Sequence, residues 1–96
     1  MKKIFNLMYG ARLLGELEFK RQGIVFRLNQ NVENEEWERH FGIIPLHGKR
    51  EIIHDDLFTS LNLRLPIYLR NASRKKKLDY ISKQKLKVAS DRYELS

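Results

Sequence analysis

Three short stretches at the start of the chain alternate between apolar and polar residues. In residues 4–9, Phe5, Leu7 and Tyr9 fall on one side of an extended backbone, because strand side chains point alternately to opposite faces. In residues 13–19, Gly15, Leu17 and Phe19 share one face while Leu14, Glu16 and Glu18 share the other. In residues 24–28, Ile24, Phe26 and Leu28 face one way, and Val25 and Arg27 the other. Gly10 and the Arg21-Gln22-Gly23 run separate these stretches as turns. The pattern predicts an antiparallel meander with one buried and one wet face. Phe5, Leu7, Leu17, Phe19, Ile24, Phe26 and Leu28 are the expected core.

The period then changes. Asn34 can cap a helix, Glu35 and Glu36 suit its first turn, and Gly42 suits its end. Trp37 and Phe41, four apart, share the face expected to cover the sheet. Ile43-Ile44-Pro45-Leu46 reads as extended, with Pro45 confining it to an edge or a strand end. His47-Gly48-Lys49-Arg50 reads as a loop, and Glu51-Ile52-Ile53-His54 leads on. Asp55 and Asp56 can cap a helix over 56–65, on which Phe58, Leu61 and Leu65 form an apolar stripe. Pro66 ends it, since proline disfavours helical geometry in the residue before it. A further helix is expected over 67–82. There Ile67, Leu78 and Ile81 lie near one face, Leu69, Ala72 and Tyr80 lie near the next, and Phe58 and Leu61 complete the core. Arg74-Lys75-Lys76-Lys77 interrupts this pattern and is expected in solvent, with Lys83–Lys87. Residues 83–96 carry only Leu86, Val88, Tyr93 and Leu95 as apolar anchors, which fits a helix or an arm. The expected fold is therefore α+β in a single domain, 1–96. A small antiparallel sheet with a short helix occupies 1–54, and a helical part with a basic tail occupies 55–96.

Charge narrows the candidate partners. The net charge is +7, but residues 1–69 hold 10 Lys/Arg against 9 Asp/Glu, whereas residues 70–96 hold 9 against 3. A basic C-terminal third suggests an acidic partner, nucleic acid or protein, against the plainer alternative of a solvated helix face. The start, Met1-Lys2-Lys3-Ile4-Phe5, resembles a signal peptide, but Asn6, Gly10 and Arg12 interrupt any apolar core. No run approaches the roughly 20 apolar residues of a membrane span. The reading is a strand, a cytoplasmic protein and no membrane. The absence of cysteine excludes disulfides, thiol catalysis and cysteine-based zinc sites. His40, His47 and His54 are spaced by seven, but Pro45 and Gly48 prevent one continuous helix, so no metal site is expected. His54 adjoins Asp55 and Asp56, whose capping role is the simpler reading. With no Gly-rich phosphate loop and no nucleophile–base constellation, the chain reads as a non-enzyme without a cofactor.

The order of four motifs resembles the N-terminal subdomain of HipA-type toxin kinases, and more closely its stand-alone form in three-gene HipBST systems, the HipS antitoxins. Tyr9-Gly10-Ala11-Arg12-Leu13-Leu14-Gly15-Glu16-Leu17 is similar to that family's turn followed by Val-Gly-x-Leu. Ile43-Ile44-Pro45-Leu46 is similar to its Ser-Leu-Pro-Leu. Asp56-Leu57-Phe58 through Leu65-Pro66 is similar to its Phe-x-Asn-Leu-Leu-Pro helix. Asp91-Arg92-Tyr93-Glu94-Leu95 is similar to the Asp-Phe-x-Leu-Leu that introduces the kinase portion. The resemblance implies a non-catalytic antitoxin that binds and inhibits a separately encoded HipT-like serine/threonine kinase. It also implies a HipB-like helix-turn-helix protein as a third member, with DNA contacted only indirectly.

The partner surface is expected along the 56–65 helix and the turn after it. If Phe58, Leu61 and Leu65 face the core, Leu57, Leu63, Ile67 and Tyr68 point elsewhere, with Arg64 and Arg70 at their edge. That is the make-up of an interface centre and rim. Trp37, His47, Lys49 and Arg50 are secondary candidates. The alternative function is a small basic nucleic-acid-binding protein, with Tyr80 and Tyr93 as stacking residues.

Overall fold

The structure, a computed structural model, describes residues 3–83, 86–88 and 92–96, with 86–88 described by backbone alone. Strands β1 (Ile4–Tyr9), β2 (Arg12–Phe19) and β3 (Ile24–Leu28) form the expected meander. The β1–β2 turn places Gly10 at φ 59°, a left-handed conformation that glycine adopts without a side-chain clash. Every one of Phe5, Leu7, Leu17, Phe19, Ile24, Phe26 and Leu28 is buried. Leu14 departs from the expected alternation. Leu7 pairs with Gly15 but Met8 pairs with Leu13, so Leu14 is the extra residue of a β-bulge. The bulge re-aims its side chain, and Leu14 is fully buried in the core.

Gly15 permits the closest approach in the sheet. A Cβ there would lie 2.4 Å from the Arg27 carbonyl oxygen and 2.6 Å from the Phe26 ring. The bare backbone lets the Phe26 ring spread across β2 and meet Trp37, whose ring centroid is 5.2 Å away. Trp37 stands on the short helix expected near 34–41. That helix is α1 (Asn34–Glu36), continued by a π-helical turn, Trp37–Phe41, and ended by Gly42 at φ 56°. Trp37 is fully buried, and its Nε1–H donates to the Ile44 carbonyl oxygen at 2.9 Å.

The second half departs further from expectation. Residues 43–46 form no strand, yet Ile44 and Leu46 are core residues. The strand is instead β4 (Glu51–His54), paired with β3. The 56–65 helix contracts to α2 (Thr59–Asn62), and neither Asp55 nor Asp56 caps it. The 67–82 helix is two helices, α3 (Ile67–Arg70) and α4 (Arg74–Ser82). Ser73 separates them because its Oγ accepts from the Lys76 N–H at 3.3 Å, a cap that starts a new helix.

The largest correction concerns the tail. Residues 86–88 and 93–95 are strands, β5 (Leu86–Val88) and β6 (Tyr93–Leu95). The sheet has six strands in the order β4-β3-β2-β1-β6-β5, all neighbours antiparallel. β6 lies against β1, and beside that pairing Asn6 and Ser96 exchange backbone bonds of 2.9 and 3.0 Å. The region 55–96 is thus not wholly helical, although α+β remains the fold class. Tyr93 and Leu95 are buried in the common core with Leu61, Leu65, Leu78 and Ile81. Met1, Lys2, Lys85, Asp91 and the side chains of Leu86, Lys87 and Val88, which belong to the sequence patterns above, lie outside the described residues. No helix among the described residues is long and apolar enough to cross a membrane.

Candidate partner-binding surface

The segment around Pro66 keeps part of its expected character. Leu65 and Leu69 anchor it to the core, and Pro66 starts α3 at φ −52°. Around these anchors Leu63, Ile67 and Tyr68 stand 57%, 78% and 76% exposed. Arg70 does not form a rim. It is half-buried and folds back, its Nε donating to the Leu65 carbonyl oxygen at 3.1 Å and its Nη2 to that of Leu63 at 2.8 Å. Asn62 Nδ2 donates to the Arg70 carbonyl oxygen at 3.2 Å. The turn is therefore closed by its own polar side chains, which hold the backbone that carries the three exposed groups.

A second clamp holds the approach to α2. Both carboxylate oxygens of Asp56 accept from Lys77 Nζ at 3.0 Å, and one also accepts the Leu57 N–H at 2.7 Å. The Lys77 side chain has no exposed surface, while that of Asp56 is 45% exposed. The expectation that Arg74–Lys77 is mainly in solvent fails here. Lys77 turns inward to Asp56, and the half-buried Arg74 donates from Nη2 to the Arg21 carbonyl oxygen at 3.0 Å. Lys75, Lys76 and Lys83 are exposed.

Two of the expected surface residues lie in the core. Leu57 is 3% exposed, because the helix begins at Thr59 and the extended Leu57-Phe58 pair dips into the sheet. Trp37 is buried under Phe26 as described. Arg64 is exposed. Of the loop candidates, Lys49 is exposed, and Arg50 donates to Asn34 Oδ1 at 2.9 Å and to the Asn29 carbonyl oxygen at 2.8 Å. His47 is exposed and lines a groove that sequence reasoning missed.

That groove encloses about 680 Å³ and is lined chiefly by Ile43, Pro45, Ile52, Ile53, Phe58 and Leu63, with His47 and His54. His54 lies against Phe58, ring centroids 5.5 Å apart, and Ser60 Oγ donates to the Ile43 carbonyl oxygen across the groove floor. The signal was present in two neighbouring apolar runs, Ile43-Ile44 and Ile52-Ile53, in which one residue is more buried than the other. Leu63 belongs both to the groove and to the exposed trio.

The open face of the sheet carries an ion cluster beside the apolar Ile4, Val25 and Ile53, and Val25, expected in solvent, is buried there. Arg27 meets Glu18 at 2.8 Å, Glu51 at 2.6 Å and Glu16 at 3.8 Å. The bonds to Glu18 first and then to Glu51 raise its guanidinium pKa. At the other end Arg12 binds Glu36 at 2.6 Å, and its hydrogen bond holds the Glu36 carboxyl below the usual carboxylate range. Among the described residues no group of three His, Asp or Glu side chains is placed to hold a metal ion. No family model matches the chain, and no curated protein or solved structure matches it.

Proposed function

We propose that this chain is a non-catalytic, cytoplasmic antitoxin of the HipS kind, with a HipA N-terminal subdomain-like fold, that binds and inhibits a separately encoded HipT-like kinase. A HipB-like helix-turn-helix protein completes the system, and DNA is contacted only through it. Support comes above all from Leu63, Ile67 and Tyr68, an apolar and aromatic trio in solvent. The Leu65-Pro66 turn that presents them is one of the four motifs that resemble the family. Exposed aromatic and aliphatic groups on a rigid turn suit the buried centre of a protein interface. Binding can restrain the kinase only by favouring its inactive state over its active one.

The alternative, a nucleic-acid-binding protein, loses support from the basic run, because Lys77 is buried on Asp56 and Arg74 is engaged by Arg21. The test is affinity for the neighbouring kinase, with circular dichroism as a control for folding. Ile67→Ala with Tyr68→Ala is expected to weaken binding by about 2–4 kcal/mol, as interface hot spots do, and to leave the spectrum unchanged. Unchanged affinity in the folded double variant moves the interface off this turn. The purified chain is expected to transfer no phosphate, having none of the lysine, metal-binding and catalytic-loop parts that reaction uses.

A further inference from the structure

β4 is a terminal strand of the sheet, and its backbone groups can be assigned a direction. The Leu28 N–H donates to the Arg50 carbonyl oxygen at 2.8 Å, and the same register pairs Phe26 with Ile52 and Ile24 with His54. In an antiparallel ladder, residues bonded to the neighbour alternate with residues whose N–H and C=O point away. Arg50, Ile52 and His54 therefore turn to β3, and Glu51 and Ile53 turn outward. Among the described residues no strand pairs with that edge, and no turn or loop backbone group bonds to Glu51 or Ile53. Proteins commonly blunt such edges with proline, a bulge or charge. β4 carries only Glu51, which is drawn over the open face by Arg27 at 2.6 Å.

The groove of about 680 Å³ lies on this outward flank, since β4 lines it and β3 does not. Its lining includes no Asp, Glu, Lys or Arg. An occupant that satisfies both features has an extended backbone to bond Glu51 and Ile53. It also has uncharged apolar side chains at every second position, to enter the groove. A helix would leave the edge groups unmet, and a charged strand would bury charge without a partner. We propose that the β4 edge takes an extended, uncharged segment of the partner protein as a seventh strand. This deepens the reading of the chain as a kinase-binding module and rests on it. Leu63, shared with the exposed trio, makes groove and turn one continuous surface.

The test follows amide hydrogen exchange by NMR in the full chain, with the neighbouring kinase and, separately, with a short capped peptide alternating valine and threonine. Exchange at Glu51 and Ile53 is expected to slow by about tenfold or more on adding either, because new backbone bonds cover those N–H groups. Ile53→Pro removes an N–H that the β3 ladder does not use, so the sheet is expected to persist. It should weaken kinase binding by roughly tenfold, and by more than Ile53→Ala, which keeps the N–H. Kinase binding with both amides unprotected overturns this inference and leaves the binding-module reading standing. Protection by the peptide without kinase binding supports the edge site and removes the kinase as its partner. Protection by neither, with no kinase binding, overturns both. Protection that grows with the concentration of the chain alone assigns the edge to a second copy and overturns the inference.

Discussion

Lys77 shows how one residue can defeat a pattern. In sequence it is the last of four consecutive cations, a position that reads as solvated. In the fold it is the one cation of that run aimed at Asp56, and it is fully buried. The two partners are not equivalent. Asp56→Ala leaves an ammonium group buried without its counter-charge, which typically costs about 3–5 kcal/mol. Lys77→Met leaves a carboxylate that water can reach, and it fills the same space with an apolar chain. Asp56→Ala is therefore expected to destabilise the protein more than Lys77→Met, and the pair together to recover most of the loss. Urea denaturation of the three variants measures this coupling. Equal costs for the two single changes would mean that stranding the buried ammonium is not what governs the loss. Leu14 makes a related point. Alternation assigned it to the wet face, and only the bulge opposite Leu7 and Met8 brings it inward.

At the scale of elements, legibility tracked length. The three strands of the meander carry five to eight residues each, enough for the period of two to speak, and all were read from the sequence. β4 has four residues and β6 three. Glu51-Ile52-Ile53-His54 shows no alternation because both isoleucines are apolar, Ile52 on the core face with Phe26 and Ile53 on the open face with Val25. Tyr93-Glu94-Leu95 does alternate, but over too few residues to be distinguished from a loose tail. Its place beside β1 depends on a contact between the two ends of the described chain, which no local pattern encodes. The exposed turn at Ile67 and Tyr68 was legible because Pro66 fixes it locally, whereas the groove was not, because it joins residues 42–47, 52–54 and 58–63.

Helix α1 also supports a pH prediction. The hydrogen bond from Arg12 ties the β1–β2 turn to α1 and lowers the Glu36 pKa in the folded state. A carboxyl with a lowered folded pKa contributes stability above its unfolded value and loses it as pH falls through the folded value. The melting temperature should therefore decline on acidification within and just below the usual carboxylate range. Glu36→Gln should flatten that part of the profile, with a small effect at neutral pH because the pair is solvent-exposed. A profile of unchanged steepness would assign the acid sensitivity to other carboxylates.

For the whole molecule, net charge and usable charge differ. The chain carries +7 overall, concentrated after residue 69, and sequence alone makes that third of the chain a plausible arm for nucleic acid. The fold takes it apart. Lys77 neutralises Asp56, Arg70 and Arg74 donate to backbone carbonyls, and the strands β5 and β6 carry the end of the chain back into the sheet. Among the described residues of this third, Lys75, Lys76, Lys83 and Arg92 are exposed, and Arg92 donates to the Tyr9 hydroxyl at 3.0 Å. Each phosphate contact contributes about 0.9 to the slope of log affinity against log salt on duplex DNA. With few such contacts, binding to a DNA duplex should be weak, indifferent to sequence and lost as salt rises, with a slope of only about 2–4. Fluorescence anisotropy across a salt series measures that slope. A steeper slope, or tight binding to one sequence by this chain alone, would favour the nucleic-acid reading. A shallow slope, beside salt-tolerant binding of the proposed kinase partner, fits an interface built on Leu63, Ile67 and Tyr68, because burial of apolar surface is not screened by ions as exposed charge is.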